Sequence, residues 1–214
     1  PLASIKGFAT TLLAEDVVWP ADKQLDFLQT INNESDKLSD LIEQLLDLSR
    51  MEAGILRIQP RKLSLNNVLD SSIAQLKAVT PDHELKLNIP PALPLIFGDE
   101  QRIAQVLTNL VGNAARYSPV GKKIIISASR SGEMIQVDVA DQGPGIPIQD
   151  RPRIFEAFRQ LENGSGNHTK GAGLGLAICK GLIEAQGGKI WVNDRPGSGT
   201  VMSFTLPVYA EKQK

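Results

Sequence analysis

The stretch from Ala21 to Met51 contains neither proline nor glycine. Through it Leu28, Ile31, Leu38, Ile42 and Leu45 recur at alternating steps of three and four, with Ser35 and Ser49 in the same phase. A run this long with that period predicts a single helix, since strands rarely pass about ten residues. A helix with one apolar stripe must lay it against other helices. Leucines at 41, 46 and 48 widen the stripe beyond a two-helix seam, which predicts a four-helix bundle. Ahead of it, "PLASIKGFATTLL" reads as a shorter amphipathic helix, with Pro1 in the first turn where its missing N–H has no partner to lose. Two helices joined through "AEDVVWPAD" make half a bundle, and a homodimer would supply the other half. The alternative, that the long helix packs on the rest of its own chain, fits a continuous stripe less well.

The texture changes after "EAGILRIQP". "HELKLNI", "KKIIISASR" and "MIQVDVA" read as strands, the last two joined by "SG" as in a hairpin, and "KIWVND" with "TVMSFTLPV" forms a second hairpin around "RPGSG". Between them "SLNNVLDSSIAQLKAV", "DEQRIAQVLTNLVGNAARYS" and "LGLAICKGLIEAQ" read as helices. The expected fold class is α+β: a helical hairpin over residues 1–56, then over 57–210 a mixed, largely antiparallel sheet covered on one face by helices, then a tail over 211–214.

Composition narrows the function. A net charge of -1 with 22% charged residues gives no basic bias, so no nucleic-acid partner is expected. The single cysteine, Cys179, excludes an internal disulfide and sits in a helical pattern as a buried small hydrophobe. No apolar run reaches the roughly 18 residues of a membrane span and no signal peptide is visible, so the expected location is cytoplasmic, with any membrane contact made by parts upstream of Pro1.

Four stretches of the second region carry chemistry. In the first, Asn109 and Asn113 lie one turn apart beside the apolar face of a helix. Asparagine forms helices poorly, so the pair is either solvated and helix-ending or turned into a cavity, where its carbonyls suit a hard cation such as Mg²⁺. In the second, "VDVADQGPGIP", Asp141 ends a strand and can accept from an exocyclic amine, while Gly143 and Gly145 let backbone approach a flat ring; an ordinary capped turn is the alternative. In the third, Gly171, Gly173 and Gly175 open a helix whose N–H groups suit phosphate. Neither the dinucleotide G-x-G-x-x-G context nor a G-x-x-x-x-G-K-[ST] loop is present. The fourth, "RPRIFEAFRQLENGSGNHTKG", carries Phe155 and Phe158 as anchors of a glycine-rich lid, unless both are simply core.

Taken in order, Asn-x-x-x-Asn-Ala, Asp-x-Gly-x-Gly-Ile, Ile-Phe-x-x-Phe and Gly-x-Gly-Leu-Gly-Leu resemble the N, G1, F and G2 boxes of the sensor histidine kinases. These belong to the ATPase superfamily that includes DNA gyrase, the mismatch-repair ATPases and the large heat-shock chaperone. "LLDLSRMEAG" is similar to the end of the second helix of the kinases' dimerisation and phosphotransfer domain, and "PLASIKGF" to the continuation of the first. The resemblance implies ATP and Mg²⁺ as ligands, a homodimer, and a response regulator as partner.

It also implies roles. Asp141 would bind the adenine amino group, supported through water by Thr200. Asn113 would coordinate Mg²⁺ with Asn109 nearby, and Arg116, in place of a more frequent lysine, would face phosphate with Tyr117 at ribose or adenine. Gly171, Gly173 and Gly175 would hinge the lid and line the triphosphate, and Gly143, Gly145, Ile146, Phe158, Lys170, Leu174 and Leu176 complete the implied lining. Gln160 stands where many relatives carry an arginine reaching the γ-phosphate. The family's acceptor histidine lies in a segment ending Pro-Leu that matches Pro1 and Leu2, so it is expected just upstream of Pro1. Neither His83 nor His168 matches it. Two rival readings stay open at this point: a regulator-docking module without turnover, and an ATPase of the chaperone or DNA-repair branch.

Overall fold

The structure is a computed structural model that describes residues 1–14, 16–160, 172–195 and 198–210. It divides into two compact units, Pro1–Arg50 and Met51–Lys214.

The first unit is a helical hairpin of α1 (Leu2–Leu12) and the long α2 (Ala21–Glu52), whose last two residues pass the boundary. Aromatic packing closes the hairpin. Phe27 on α2 meets Phe8 at 5.5 Å between ring centroids and Trp19 edge-on at 5.1 Å. Trp19 donates its indole N–H to the Thr11 carbonyl, one of the carbonyls that a helix end leaves without an intrahelical partner. The apolar stripe itself is left open: Leu28, Ile42 and Leu45 are each more than half exposed.

The second unit is a sheet and helix sandwich. Five strands pair in the order β2 (Glu84–Asn88), β4 (Lys123–Ser131), β5 (Met134–Ala140), β7 (Thr200–Pro207), β6 (Ile190–Asp194). Only the β2–β4 pair is parallel. The alternation of buried and half-buried residues along β5 shows one face turned to the core. Over that face lie α4 (Glu100–Tyr117) against β4 and β5 and α5 (Gly175–Ala185) against β6 and β7, while α3 (Leu65–Ala78) packs on α4. Phe204, Leu107, Leu110, Ile126, Val137 and Ile178 are fully buried between the layers. Each such side chain contributes about 1.5–3 kcal/mol relative to exposure.

Two strands escape the period-two reading. β1 (Arg61–Leu63) and β3 (Ile96–Gly98) form a separate antiparallel pair, each three residues long. β3 leads into α4, whose N-cap Asp99 accepts from the Arg102 N–H and, on its other oxygen, from the Gln59 N–H. His83 lies in the turn just ahead of β2 rather than inside the strand, half-buried, with Nε2 3.4 Å from the Ser118 carbonyl oxygen. Among the described residues no helix is long and apolar enough to cross a membrane.

Candidate functional site

At the end of β5 the chain leaves the sheet at Asp141, whose side chain is buried. Its Oδ1 accepts from the Gly143 N–H at 2.7 Å and the Thr200 N–H at 3.1 Å, and the Thr200 side chain bonds the same carboxylate. Thr200 therefore touches Asp141 directly through its main-chain N–H. Burial raises the Asp141 pKa above its ordinary 3.8, while the Gly143 and Thr200 hydrogen bonds and the charge of Arg195 pull it partly back. The result is a buried acceptor fixed in direction by main-chain donors from its own turn and from β7.

The turn that follows is packed backbone on backbone. Gly143 lies against the Tyr117 carbonyl at the end of α4, where an added Cβ would come within 2.8 Å of its oxygen. The close approach this glycine permits is thus to the chain itself. Gln142 donates its N–H to the Ser118 hydroxyl, and the Ser198 hydroxyl donates to the Gly143 carbonyl. Gly199 has φ +111°, and a Cβ there would overlap the Asp141 carbonyl oxygen, so no other residue fits. Arg195 donates from Nη1 to that same carbonyl oxygen at 2.6 Å. Arg151 donates from Nε to the Ile146 carbonyl and pairs with Asp194.

A second group forms where α4 meets α5. Asn109 and Asn113 are half-buried on α4, which continues to Tyr117, so Asn113 does not end the helix. A Cβ on Gly175 would sit 3.8 Å from the Asn109 amide, and Cys179, one turn further along α5, is hydrogen-bonded to Asn109. Asn109 is therefore tied into the helix interface rather than solvated. Cys179 is fully buried, lies 3.9 Å from the Val106 carbonyl oxygen, and burial pushes its thiol up to about 12. The residue ahead of α5, Leu174, provides no side-chain cap to the N–H groups of that first turn, where the helix dipole favours negative charge. Arg116 is exposed in the last turn of α4 and Tyr117 half-buried.

The segment between the two glycine clusters departs from expectation. Ile154 is its buried residue and Phe155 is half-buried, but Phe158 is 64% exposed and holds φ +62°. Phe158 is thus no part of the core. Gly173, with φ +70°, presses against the Phe158–Arg159 backbone, where a Cβ would lie 2.8 Å from the Arg159 carbonyl oxygen. Gly145 and Ile146 are half-buried in the Asp141 turn, Leu176 is half-buried on α5, Leu174 belongs to the core, and Gln160 is exposed. Lys170, Gly171, His168 and the rest of the glycine-rich lid lie outside the described residues.

The structure therefore brings Asp141, Gly143 and Thr200 together with the Tyr117 main chain, and Asn109 together with Gly175. It adds Arg151, Arg195, Ser198 and Gly199, which sequence reasoning did not select. Glycine and serine in a hairpin turn are too common to signal a site, and the arginines reach it only through the fold.

Comparison with known proteins addresses the whole arrangement. The family model described as "Histidine kinase-, DNA gyrase B-, and HSP90-like ATPase" matches residues 98–210, and the "His Kinase A (phospho-acceptor) domain" model matches residues 1–54. The adaptive-response sensory kinase SasA of Thermosynechococcus vestitus is 38% identical over 83% of this chain and 47% of its own length. The chain thus spans about half of that curated relative. Full-length ShkA in complex with AMPPNP superposes with a TM-score of 0.74 at 27% identity, over 98% of this chain and 44% of its own. Histidine kinase ThkA in complex with the response regulator protein TrrA does so with a TM-score of 0.73 at 25% identity, over 100% and 59%. A buried strand-end aspartate, a helix carrying two asparagines one turn apart and a neighbouring α5 without a side-chain cap thus coincide with matches to both halves of one architecture, and the chain belongs to the histidine kinase, gyrase B and HSP90-like ATPase family as the core of a sensor histidine kinase.

Proposed function

We propose that residues 57–210 bind Mg-ATP and donate its γ-phosphoryl group to a histidine other than His83 and His168, for relay to an aspartate of a response regulator. Asp141 supports this reading most directly. A buried carboxylate with its orientation fixed by Gly143 and Thr200 suits the exocyclic amine of adenine and repels the carbonyl that guanine carries there. The Gly143–Ile146 turn, with Gly145, forms the wall beside the base, and Tyr117 faces ribose or adenine.

The phosphate end is served by the N-terminus of α5, by Gly173 and Gly175, and by Arg116, with Lys170, Gly171 and Gln160 completing it. Phe158 lines the site from its exposed position, while Leu174 and Leu176 hold α5 to the core. Among the described residues no three His, Cys, Asp or Glu side chains converge to hold a cation. The Asn113 amide oxygen fits an ion that takes its remaining oxygens from phosphate. Mg²⁺ bound there supplies positive charge against the triphosphate. Asn109, held by Cys179, keeps α4 and α5 in register around it. Catalysis then rests on orienting the nucleotide and excluding water.

Residues 1–56 serve as the dimerisation hairpin, the exposed stripe of α2 meeting a second copy. The ThkA–TrrA complex supports a response regulator as the onward partner. Titration calorimetry with ATP and Mg²⁺ tests the core of this. Saturable binding that Asp141→Asn weakens at least tenfold is expected, with an intact mass unchanged by Mg-ATP. No ATP binding by the folded protein defeats the nucleotide reading, and an acid-labile phosphoryl adduct defeats the exclusion of its two histidines.

A further inference from the structure

The β5–β7 ladder ends at the pair Ala140 and Val201, one residue short of Asp141. The Asp141 N–H still donates to the Thr200 carbonyl, but the Asp141 carbonyl oxygen lies past the last ladder pair and receives Arg195 Nη1 instead. Arg195 stands immediately after Asp194, whose register partner is Thr200. At the far end of the same turn Arg151 holds the Ile146 carbonyl and pairs with Asp194. Two arginines anchored at one hairpin corner thus bracket the turn from both ends.

We propose that Arg195 is a positioning residue for base recognition: by holding the Asp141 main-chain carbonyl and facing its carboxylate, it sets the acceptor that meets the exocyclic amine. Arg151 fixes the other end of the turn and neutralises Asp194. This inference rests on the nucleotide reading above.

Two consequences separate it from a merely structural role. Arg195 is the charge bearing on Asp141, opposing the rise that burial imposes. Among the described residues the other groups facing the turn are the Tyr117 main chain and Ser118 hydroxyl at the end of α4, the Ser198 hydroxyl, Gly199 and Thr200, none of them charged at neutral pH, while Arg151 and Asp194 offset each other. Removing the Arg195 charge must therefore move the pH at which the base is lost, not only the affinity. Removing the anchor must also blunt the preference for a base that carries the amine.

The experiment measures ATP and inosine triphosphate affinity from acid to neutral pH for the wild type, Arg195→Lys, Arg195→Gln and Arg195→Met, with folding followed by circular dichroism. ATP affinity of the wild type falls as Asp141 takes up its proton. Arg195→Gln and Arg195→Met move that midpoint upward, by about half a pH unit or more, and lower neutral-pH ATP affinity roughly three- to tenfold. Arg195→Lys keeps the midpoint, and inosine triphosphate, lacking the amine, responds less than ATP in every variant. A constant loss at all pH values with the midpoint in place, or equal losses for the two nucleotides, overturns the inference. If Arg195→Met does not fold, the Gln and Lys variants carry the same decision. Failure of the wild type to bind ATP would instead strike the nucleotide reading itself.

Discussion

The two units of this chain solve the same problem, burying apolar side chains, in opposite ways. In the second unit a sheet and three helices enclose their own core, and Phe204, Leu107 and Ile178 reach full burial without help. In the first unit the hairpin buries little beyond its Phe8, Trp19 and Phe27 cluster, and the stripe of α2 stays half in water. A two-helix hairpin cannot enclose the stripe of a long amphipathic helix, so its seam is a surface waiting for company, whereas a layered domain closes on itself. If the proposed dimer holds, stability of the second unit is a property of the chain, and stability of the first is a property of concentration.

The strongest way to break that contrast is Phe204→Ala. It should cost the second unit about 3–5 kcal/mol, seen as an earlier urea midpoint, while the helical signal of the first unit persists. Coincident loss of both would show that the units fold as one. Next, Asp141→Asn should weaken ATP about 10- to 100-fold, the worth of one charge-assisted hydrogen bond, measured by calorimetry. The same variant carries a sign for stability. Because burial raises the folded pKa of Asp141 above 3.8, the protonated acid favours the fold. That contribution is complete below 3.8 and is lost as pH rises through the folded value. The neutral amide of Asp141→Asn escapes the loss, so the ligand-free variant should melt higher than wild type at pH 7 and show no gain below pH 3.8; equal melting at both pH values would contradict it.

A third test sharpens the other side of the comparison. Leu28→Ala with Ile42→Ala should raise the dimer dissociation constant by tenfold or more, since the truncations together remove at least about 1.4 kcal/mol of burial at the partner. Sedimentation reads that change, and the melting of the second unit should not move. A monomeric wild type would mean that the stripe meets something other than a second copy. The smallest effect belongs to Cys179. With its thiol raised to about 12 by burial, it should resist alkylation in the folded protein at pH 8. Cys179→Val should cost under about 1.5 kcal/mol, and Cys179→Ser should hold Asn109 as the thiol does. Rapid labelling of native protein would show that α5 opens.

What could be read in advance follows from range. The five helices and both hairpins were legible because period and punctuation are local: α2 ends near Gly54, and β4 and β5 flank Gly132. β1 and β3, at three residues each, are too short to display any period. Within the site, Asp141 and the asparagines stood out because each is an unexpected residue type in its element. Phe158 misled because spacing alone says nothing of how far the fold will bury a ring. Arg195 and Arg151 were invisible because their partners lie 54 and 43 residues away. Asn109 was legible as unusual, but its tie to Cys179 needed two helices laid side by side.

The bond between the Thr200 N–H and Asp141 joins residues 59 positions apart, and Arg195 spans nearly as many. Nothing near Asp141 in the sequence can hold its carbonyl until the last strand returns to the middle of the sheet. Contacts of such separation form late, because a long loop must first be closed. A chain that has synthesised and collapsed everything up to α5 still lacks the contacts that fix Asp141, and with them the proposed base pocket. Competence to bind nucleotide therefore arrives together with the final strand, and the ligand that stabilises this unit favours only molecules that have finished folding.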